Sequence, residues 1–184
     1  IGLSDEENSK LLDKFVFLQI ENLFTLDKKK IDKIIISNNL VEKYLIFKRY
    51  PSSLEIKIHK TKFLAYVKKD GVNFLLGSNG KFVYTEDIIE KIPLIHGNFK
   101  NSDFKNLKYL IDKSNFDFKE IKNLYFFPSG RWDLETYSGI LIKLSKNKVK
   151  ENIDLSTIIL ADKKFEKVSL IDLRQEDQII INDK

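Results

Sequence analysis

The run Leu54-Glu55-Ile56-Lys57-Ile58-His59 alternates apolar and polar residues without a break. Successive side chains of a strand point to opposite faces, so this run has one face to bury and one to wet. Such a strand needs a second layer to cover it. The nearest supply lies upstream, where the apolar period is helical: Leu11, Leu12, Phe15 and Leu18, then Ile31, Ile34 and Ile35. Ser4-Asp5-Glu6-Glu7 has the form of a capping box and starts the first helix. A second helix is predicted from about Asp27 to Ser37, with Asn38-Asn39 closing it in the left-handed conformation that Asn tolerates. Ile1-Gly2-Leu3 reads as the end of a strand. Val41 to Tyr50 and Leu54 to His59 read as two strands around Pro51-Ser52-Ser53. The chain up to about residue 66 is thus expected to be (β)ααββ, with Leu11, Leu12, Phe15, Ile31, Ile34, Ile35, Leu54, Ile56 and Ile58 in one core.

Beyond residue 66 the pattern becomes a β meander with inserted helices. Phe63–Val67 and Phe74–Leu76 flank an Asp70-Gly71 turn, and Phe82-Val83-Tyr84 follows the turn at Gly77–Gly80. Ile92–Gly97 is a short extended segment. A helix is predicted over about 103–114, strands over about 121–127, 132–137 and 140–144, and a helix near 152–161. Strands over 168–173 and 178–181 end the chain. The fold class is α+β. Residues 1–66 form one domain, and residues 67–184 form a second, mainly antiparallel β domain with flanking helices.

Composition removes whole classes of chemistry. There is no Cys, so disulfides, thiolate metal sites and Cys nucleophiles are excluded. The two histidines, His59 and His96, neighbour no nucleophile elbow, and the seven glycines form no phosphate-binding loop. No catalytic residue, metal ligand or cofactor is predicted. Net charge is +5, yet lysines and acids are interspersed, which reads as a solvated surface rather than a nucleic-acid footprint. No apolar run approaches the ~18 residues that would suggest a membrane span. The chain begins at Ile1 and contains no Met, so any targeting or anchoring segment is expected upstream.

Against 29 lysines, the chain uses Arg only at 49, 131 and 174. Each lies in a distinctive stretch: Arg49-Tyr50-Pro51 at a strand end, Arg131-Trp132-Asp133 with the only Trp, and Asp172-Leu173-Arg174 before the last strand. A planar, multiply donating guanidinium is expected to be needed there, pinning a turn or covering the Trp ring. Trp132 is expected to be buried. The last strand, with Ile179, Ile180 and Ile181 in succession, is the candidate partner site, together with Arg174, Gln175, Glu176, Asp177 and Gln178. A terminal strand left at a sheet edge offers unpaired N–H and C=O groups to another chain. Pairing on both sides as a central strand is the alternative.

These stretches, taken in order, resemble the extracytoplasmic region of the bacterial cell-division FtsQ/DivIB family. Asn22-Leu23-Phe24-x-Leu26-Asp27 and Tyr50-Pro51-x-x-Leu54-x-Ile56-x-Ile58 resemble the family's first, POTRA domain (βααββ). Ile92-Pro93 to Gly97, Gly130-Arg131-Trp132-Asp133-Leu134, Gly139-x-x-Ile142-x-Leu144 and Asp172-Leu173-Arg174 resemble landmarks of its β domain. Two positions depart from the family pattern: Lys60 stands where a Glu is usual, and Phe63 replaces a Pro. The resemblance implies a non-catalytic divisome scaffold of the inner membrane, single-pass through a helix upstream of this chain, with this region periplasmic. It implies FtsB and FtsL as partners at the C-terminal edge, other divisome proteins such as FtsK, and a part in regulating septal peptidoglycan synthesis. Alternatives are a POTRA-containing outer-membrane assembly or secretion factor and an envelope glycan-acting enzyme.

Overall fold

The computed structural model describes residues 2–19, 21–86, 91–176 and 178–183. The chain divides into two compact units: residues 1–64 with 76–83, and residues 65–75 with 84–184. The first unit therefore takes in the turn at 76–83, which lies beyond the boundary expected near residue 66.

In the first unit, α1 (Asp5–Leu12) starts at a complete capping box, Ser4 accepting from the Glu7 amide and Glu7 from the Ser4 amide. The chain then tightens into a 3-10 helix, Asp13–Gln19, and continues to α2 (Lys28–Ser37), capped by Asp27. β1 (Val41–Arg49) and β2 (Ser53–Lys60) follow as an antiparallel hairpin whose Tyr50–Pro51 bond is cis. The core joins Leu11, Phe15, Leu23, Leu26, Ile31, Ile35 and Val41, with Ile34, Leu54, Ile56 and Ile58 packed on it. The alternating run of β2 thus finds its cover in the helices.

Three expectations are corrected in this unit. Gly2 and Leu3 form no strand, and Ile1 lies outside the described residues. Leu12 is 57% exposed, because it is still part of α1 and stands about 100° round the helix from the buried Leu11, beside the buried face rather than on it. Asn38 is extended (φ −78°, ψ 122°) rather than left-handed, with its side chain accepting from the Leu40 amide at 2.9 Å.

The turn at 77–80 is held to this unit by a polar cluster that sequence reading did not find. Glu42 Oε2 accepts from Ser78 Oγ (2.7 Å) and Thr61 Oγ1 (3.1 Å), and Asn79 donates to the Asn39 and Val41 carbonyls at 2.8 and 3.0 Å. Lys60, the departure noted above, donates to both oxygens of Glu7 at 2.6 and 2.9 Å.

The remaining strands are β3 (Phe63–Lys69), β4 (Val72–Gly77), β5 (Phe82–Tyr84), β6 (Leu94–His96), β7 (Ile121–Phe126), β8 (Trp132–Thr136), β9 (Leu141–Leu144), β10 (Val168–Leu173) and β11 (Ile180–Asp183). They form a mainly antiparallel sheet in the order β11-β10-β9-β8-β7-β6-β3-β4-β5. The order is not that of a plain meander. β3 and β6, β6 and β7, and β9 and β10 pair in parallel. Two of these parallel pairs are joined by helices, α3 (Asn101–Asp112) between β6 and β7 and α4 (Val149–Ala161) between β9 and β10. A parallel neighbour requires such a crossover.

Pairing register aligns Val67, Ile95, Leu124, Leu134, Ile142, Ile171 and Ile181 in one row across seven strands. The four central members have no exposed surface. Phe104, Leu107 and Ile111 of α3 and Ile153 and Ile159 of α4 are buried as well, and the two helices pack together, with α4 against β9.

Trp132 is 5% exposed, as expected, with its ring 4.7 Å from Phe126 and 5.9 Å from Phe99 between centroids. Trp132→Ala is expected to cost about 3–5 kcal/mol, read from the urea midpoint at unchanged slope. Gly97 has φ +100°, and a Cβ there would stand 2.2 Å from the Phe126 carbonyl oxygen. Gly97→Ala is expected to destabilise by a few kcal/mol in the same titration, from backbone strain of about 1–3 kcal/mol plus the clash.

Candidate functional site: the C-terminal sheet edge

β11 ends the sheet, paired to β10 alone through Ile171–Ile181 and Asp172–Ile180. Its other side faces no strand among the described residues. The strand starts at Ile180, two residues later than expected, and Gln178 and Ile179 precede it outside any strand. Ile180 (45% exposed) lies on the sheet face away from the buried row, while Ile181 extends that row to the edge and is half-buried.

Side chains of the opposite sheet face are equally ordered. Register aligns His96, Tyr125, Asp133, Lys143, Asp172 and Ile180 across six strands. Arg131 donates Nε and Nη2 to the two oxygens of Asp133 at 3.1 and 3.3 Å. Arg174 does the same for Asp172, Nη2 at 2.6 Å and Nε at 2.8 Å. Each arginine is thus two residues from its carboxylate, on the same side of the chain, and bidentate as only a guanidinium can be. Arg49, in the first unit, meets Glu55 across the hairpin with Nε at 2.7 Å. The arginines were expected to pin turns or cover the Trp ring, with Arg131 near a turn or carboxylate. All three hold carboxylates, as expected at Arg131, and the ring under Arg131 is not the Trp but Phe127, 4.1 Å from its centroid.

The two carboxylates titrate in opposite senses. Hydrogen bonds from Arg174 hold Asp172 below the ordinary Asp value. Burial pushes Asp133 up, more than Arg131 pulls it down. On the same face Tyr125 is pushed up to about 12, by burial first and then by its hydrogen bond to Glu135.

Beside the edge, a groove of about 330 Å³ runs between α4 and the turn after β10. Gln175, Glu176, Gln178 and Ile179 line it from the predicted site. Ser145, Lys148, Glu151, Asn152, Leu155 and Leu173 complete it and were not foreseen. Lys148 meets Glu176 at 2.9 Å, and Asn152 accepts from the Ser145 amide at 2.8 Å. The one sequence sign of this half was Ser145-x-x-Lys148, a hydroxyl placed to receive the Lys148 amide at the helix start. Asp177 lies outside the described residues. Tyr50 and Pro51, with Arg49, sit at the hairpin turn of the first unit, apart in sequence and element from this edge.

The family model described as "Cell division protein FtsQ/DivIB, C-terminal" matches residues 65–174. The chain belongs to the FtsQ/DivIB family. It is 29% identical over 129 residues to the cell division protein DivIB of Bacillus subtilis (strain 168), an alignment covering 69% of this chain and 44% of that protein. The chain thus spans less than half the length of this relative. Among solved structures it is similar to the major extracytoplasmic domain of DivIB from Geobacillus stearothermophilus, with 13% identity, a TM-score of 0.44, and coverage of 59% of this chain and 98% of that one. The matched FtsQ/DivIB region ends at Arg174, so it includes the Asp172–Arg174 fork and stops before β11.

A depressed folded-state pKa means that Asp172 contributes stability above the ordinary carboxylate range and loses it as pH falls through the folded value. Asp172→Asn is expected to lower the melting temperature at about pH 7, with the gap to wild type closing as pH drops below about 4. Thermal melts across that range check it.

Proposed function

We propose that this chain is the extracytoplasmic part of a non-catalytic division scaffold whose edge strand β11 takes up a strand of the FtsB–FtsL subcomplex. The observation that carries this reading is the position of β11: it ends the sheet, with no strand on its other side among the described residues and Ile180 exposed. Backbone groups on that side supply affinity to an added strand, and side-chain pockets supply register. The groove lined by Gln175, Gln178, Ile179 and Leu155 lies beside it for such side chains. The Asp172–Arg174 fork fixes the exit of β10 and hence the direction in which the chain turns into β11.

In this reading the protein reaches the inner membrane through a helix outside this chain and lies in the periplasm; no described helix is long and apolar enough to cross a membrane. The helix pair and hairpin of the first unit serve as the POTRA domain, for recruitment through divisome proteins such as FtsK. Binding at the edge is then one input to the control of septal peptidoglycan synthesis. The match to the FtsQ/DivIB C-terminal region favours this reading over an outer-membrane assembly factor, which would use a free edge in the same way.

Consecutive strand residues aim their N–H groups at opposite edges. One of Ile180→Pro and Ile181→Pro therefore deletes an outward N–H and leaves the β10 ladder intact. That variant is expected to keep the wild-type melting temperature and to bind purified FtsB–FtsL about tenfold more weakly, the worth of one hydrogen bond. Wild-type affinity in both variants, each still folded, places the site elsewhere.

A further inference from the structure

The hairpin of the first unit has an outer face that the core does not use. Tyr44, Ile46, Leu54, Ile56 and Ile58 pack inward. The alternate positions form two facing rows, Lys43-Leu45-Phe47-Arg49 on β1 against His59-Lys57-Glu55-Ser53 on β2. Leu45 is 54% exposed and Phe47 42%. Three cations surround them against one carboxylate, Glu55, which Arg49 holds at 2.5 Å and Lys57 at 3.5 Å. Lys57 also stands 5.5 Å over the Phe47 ring. At the turn end of the same hairpin Phe24 and Tyr50 stack at 4.7 Å, 67% and 59% exposed.

We infer that this basic and aromatic face of the hairpin docks on an anionic phospholipid surface. Large apolar side chains ringed by Lys and Arg are the chemistry that such a surface selects: rings settle at headgroup depth and cations meet the lipid phosphates. A protein partner would ask for something this face lacks. Strand addition uses an edge and not a face. Anchor residues of a partner need pockets. The groove of about 990 Å³ in this unit opens on the inner side of the hairpin, along Leu11, Phe15, Leu23, Leu54, Ile56 and Ile58.

The test is co-sedimentation of the whole chain with vesicles of phosphatidylglycerol and phosphatidylcholine in equal parts, and of phosphatidylcholine alone. Binding is expected to the anionic vesicles only, and to be lost between about 50 and 500 mM salt as the Debye length shrinks. Lys43→Gln with Lys57→Gln is expected to weaken partitioning about thirtyfold, from the worth of two lysines near an anionic surface. Lys28→Gln with Lys29→Gln, on α2, is the matched control and is expected to change it by less than about threefold. Leu45→Ser with Phe47→Ser is expected to weaken binding while leaving the salt dependence unchanged. Circular dichroism confirms that each variant is folded. Failure to bind anionic vesicles overturns the inference and leaves the face to a protein partner. An equal loss in the α2 control also overturns it, since binding would then follow net charge and not this face.

Discussion

The second unit depends on one row of side chains. Val67, Ile95, Leu124, Leu134, Ile142 and Ile171 meet across neighbouring strands, and their burial fixes the register of every strand between β3 and β10. A slip of one residue in any strand would send its member of the row to the other face and bring a polar neighbour inward. At β8 that neighbour is Asp133 or Glu135; at β9 it is Lys143. Such an exchange would bury an unpaired charge, so the alternatives are far above the native register in free energy. The helices α3 and α4 make this possible. They turn what would be a meander into two parallel crossovers, and they supply Phe104, Leu107, Ile111, Ile153 and Ile159 to cover the apolar side.

The opposite face solves a different problem. It carries charges at Asp133, Lys143 and Asp172 on adjacent strands, two of the three nearly inaccessible to water. Lysine, a hydrated point charge, would satisfy such carboxylates poorly; a guanidinium forks onto both oxygens at once. This explains why a chain with 29 lysines uses arginine at 131 and 174. The opposite shifts of Asp133 and Asp172 follow from burial. The same bidentate partner cannot offset desolvation at Asp133, which lies between strands β7 and β9, but exceeds it at Asp172 near the sheet edge.

What the sequence made legible was whatever depends on near neighbours. The alternation at 54–59, the capping box at Ser4 and the placement of Trp132 rest on local period or on a single dominant side chain, and the structure has them so. Leu12 was misplaced because adjacent leucines on α1 cannot both face the core, and apolar spacing alone did not decide between Leu11 and Leu12. Asn38 was misplaced because the last carbonyls of α2 find other donors, the Asn38 amide on Ile35, the Ser37 hydroxyl on Ile34 and the Lys81 amine on Ile36, so no left-handed residue is needed there. The parallel pairs were missed although strand, helix and strand follow one another at β6-α3-β7 and β9-α4-β10. Adjacent antiparallel strands on either side made the whole read as a meander. Of the candidate site, the Arg–Asp forks were within reach, since two residues apart on a strand means the same face. The α4 side of the groove was not, because Lys148 and Glu176 meet through tertiary packing across a helix and a strand.

The edge at β11 follows from where the apolar row runs out. Ile181 is its last member and is only half-buried, against full burial at Ile171 beside it. A further strand on that side would complete the burial of Ile181 and pair the open backbone of β11 at the same time. The other end of the sheet closes differently. There β5 is three residues long and follows the 77–80 turn, whose Ser78 and Asn79 are held by Glu42 and by the Asn39 and Val41 carbonyls. Short edge strands are a standard way to block addition. The two ends of one sheet differ: β5 is three residues long, whereas β11 extends the register of β10 for four residues and brings exposed isoleucine with it. That second edge is the physical ground on which the proposed strand addition is assigned to β11 and not to the charged sheet face.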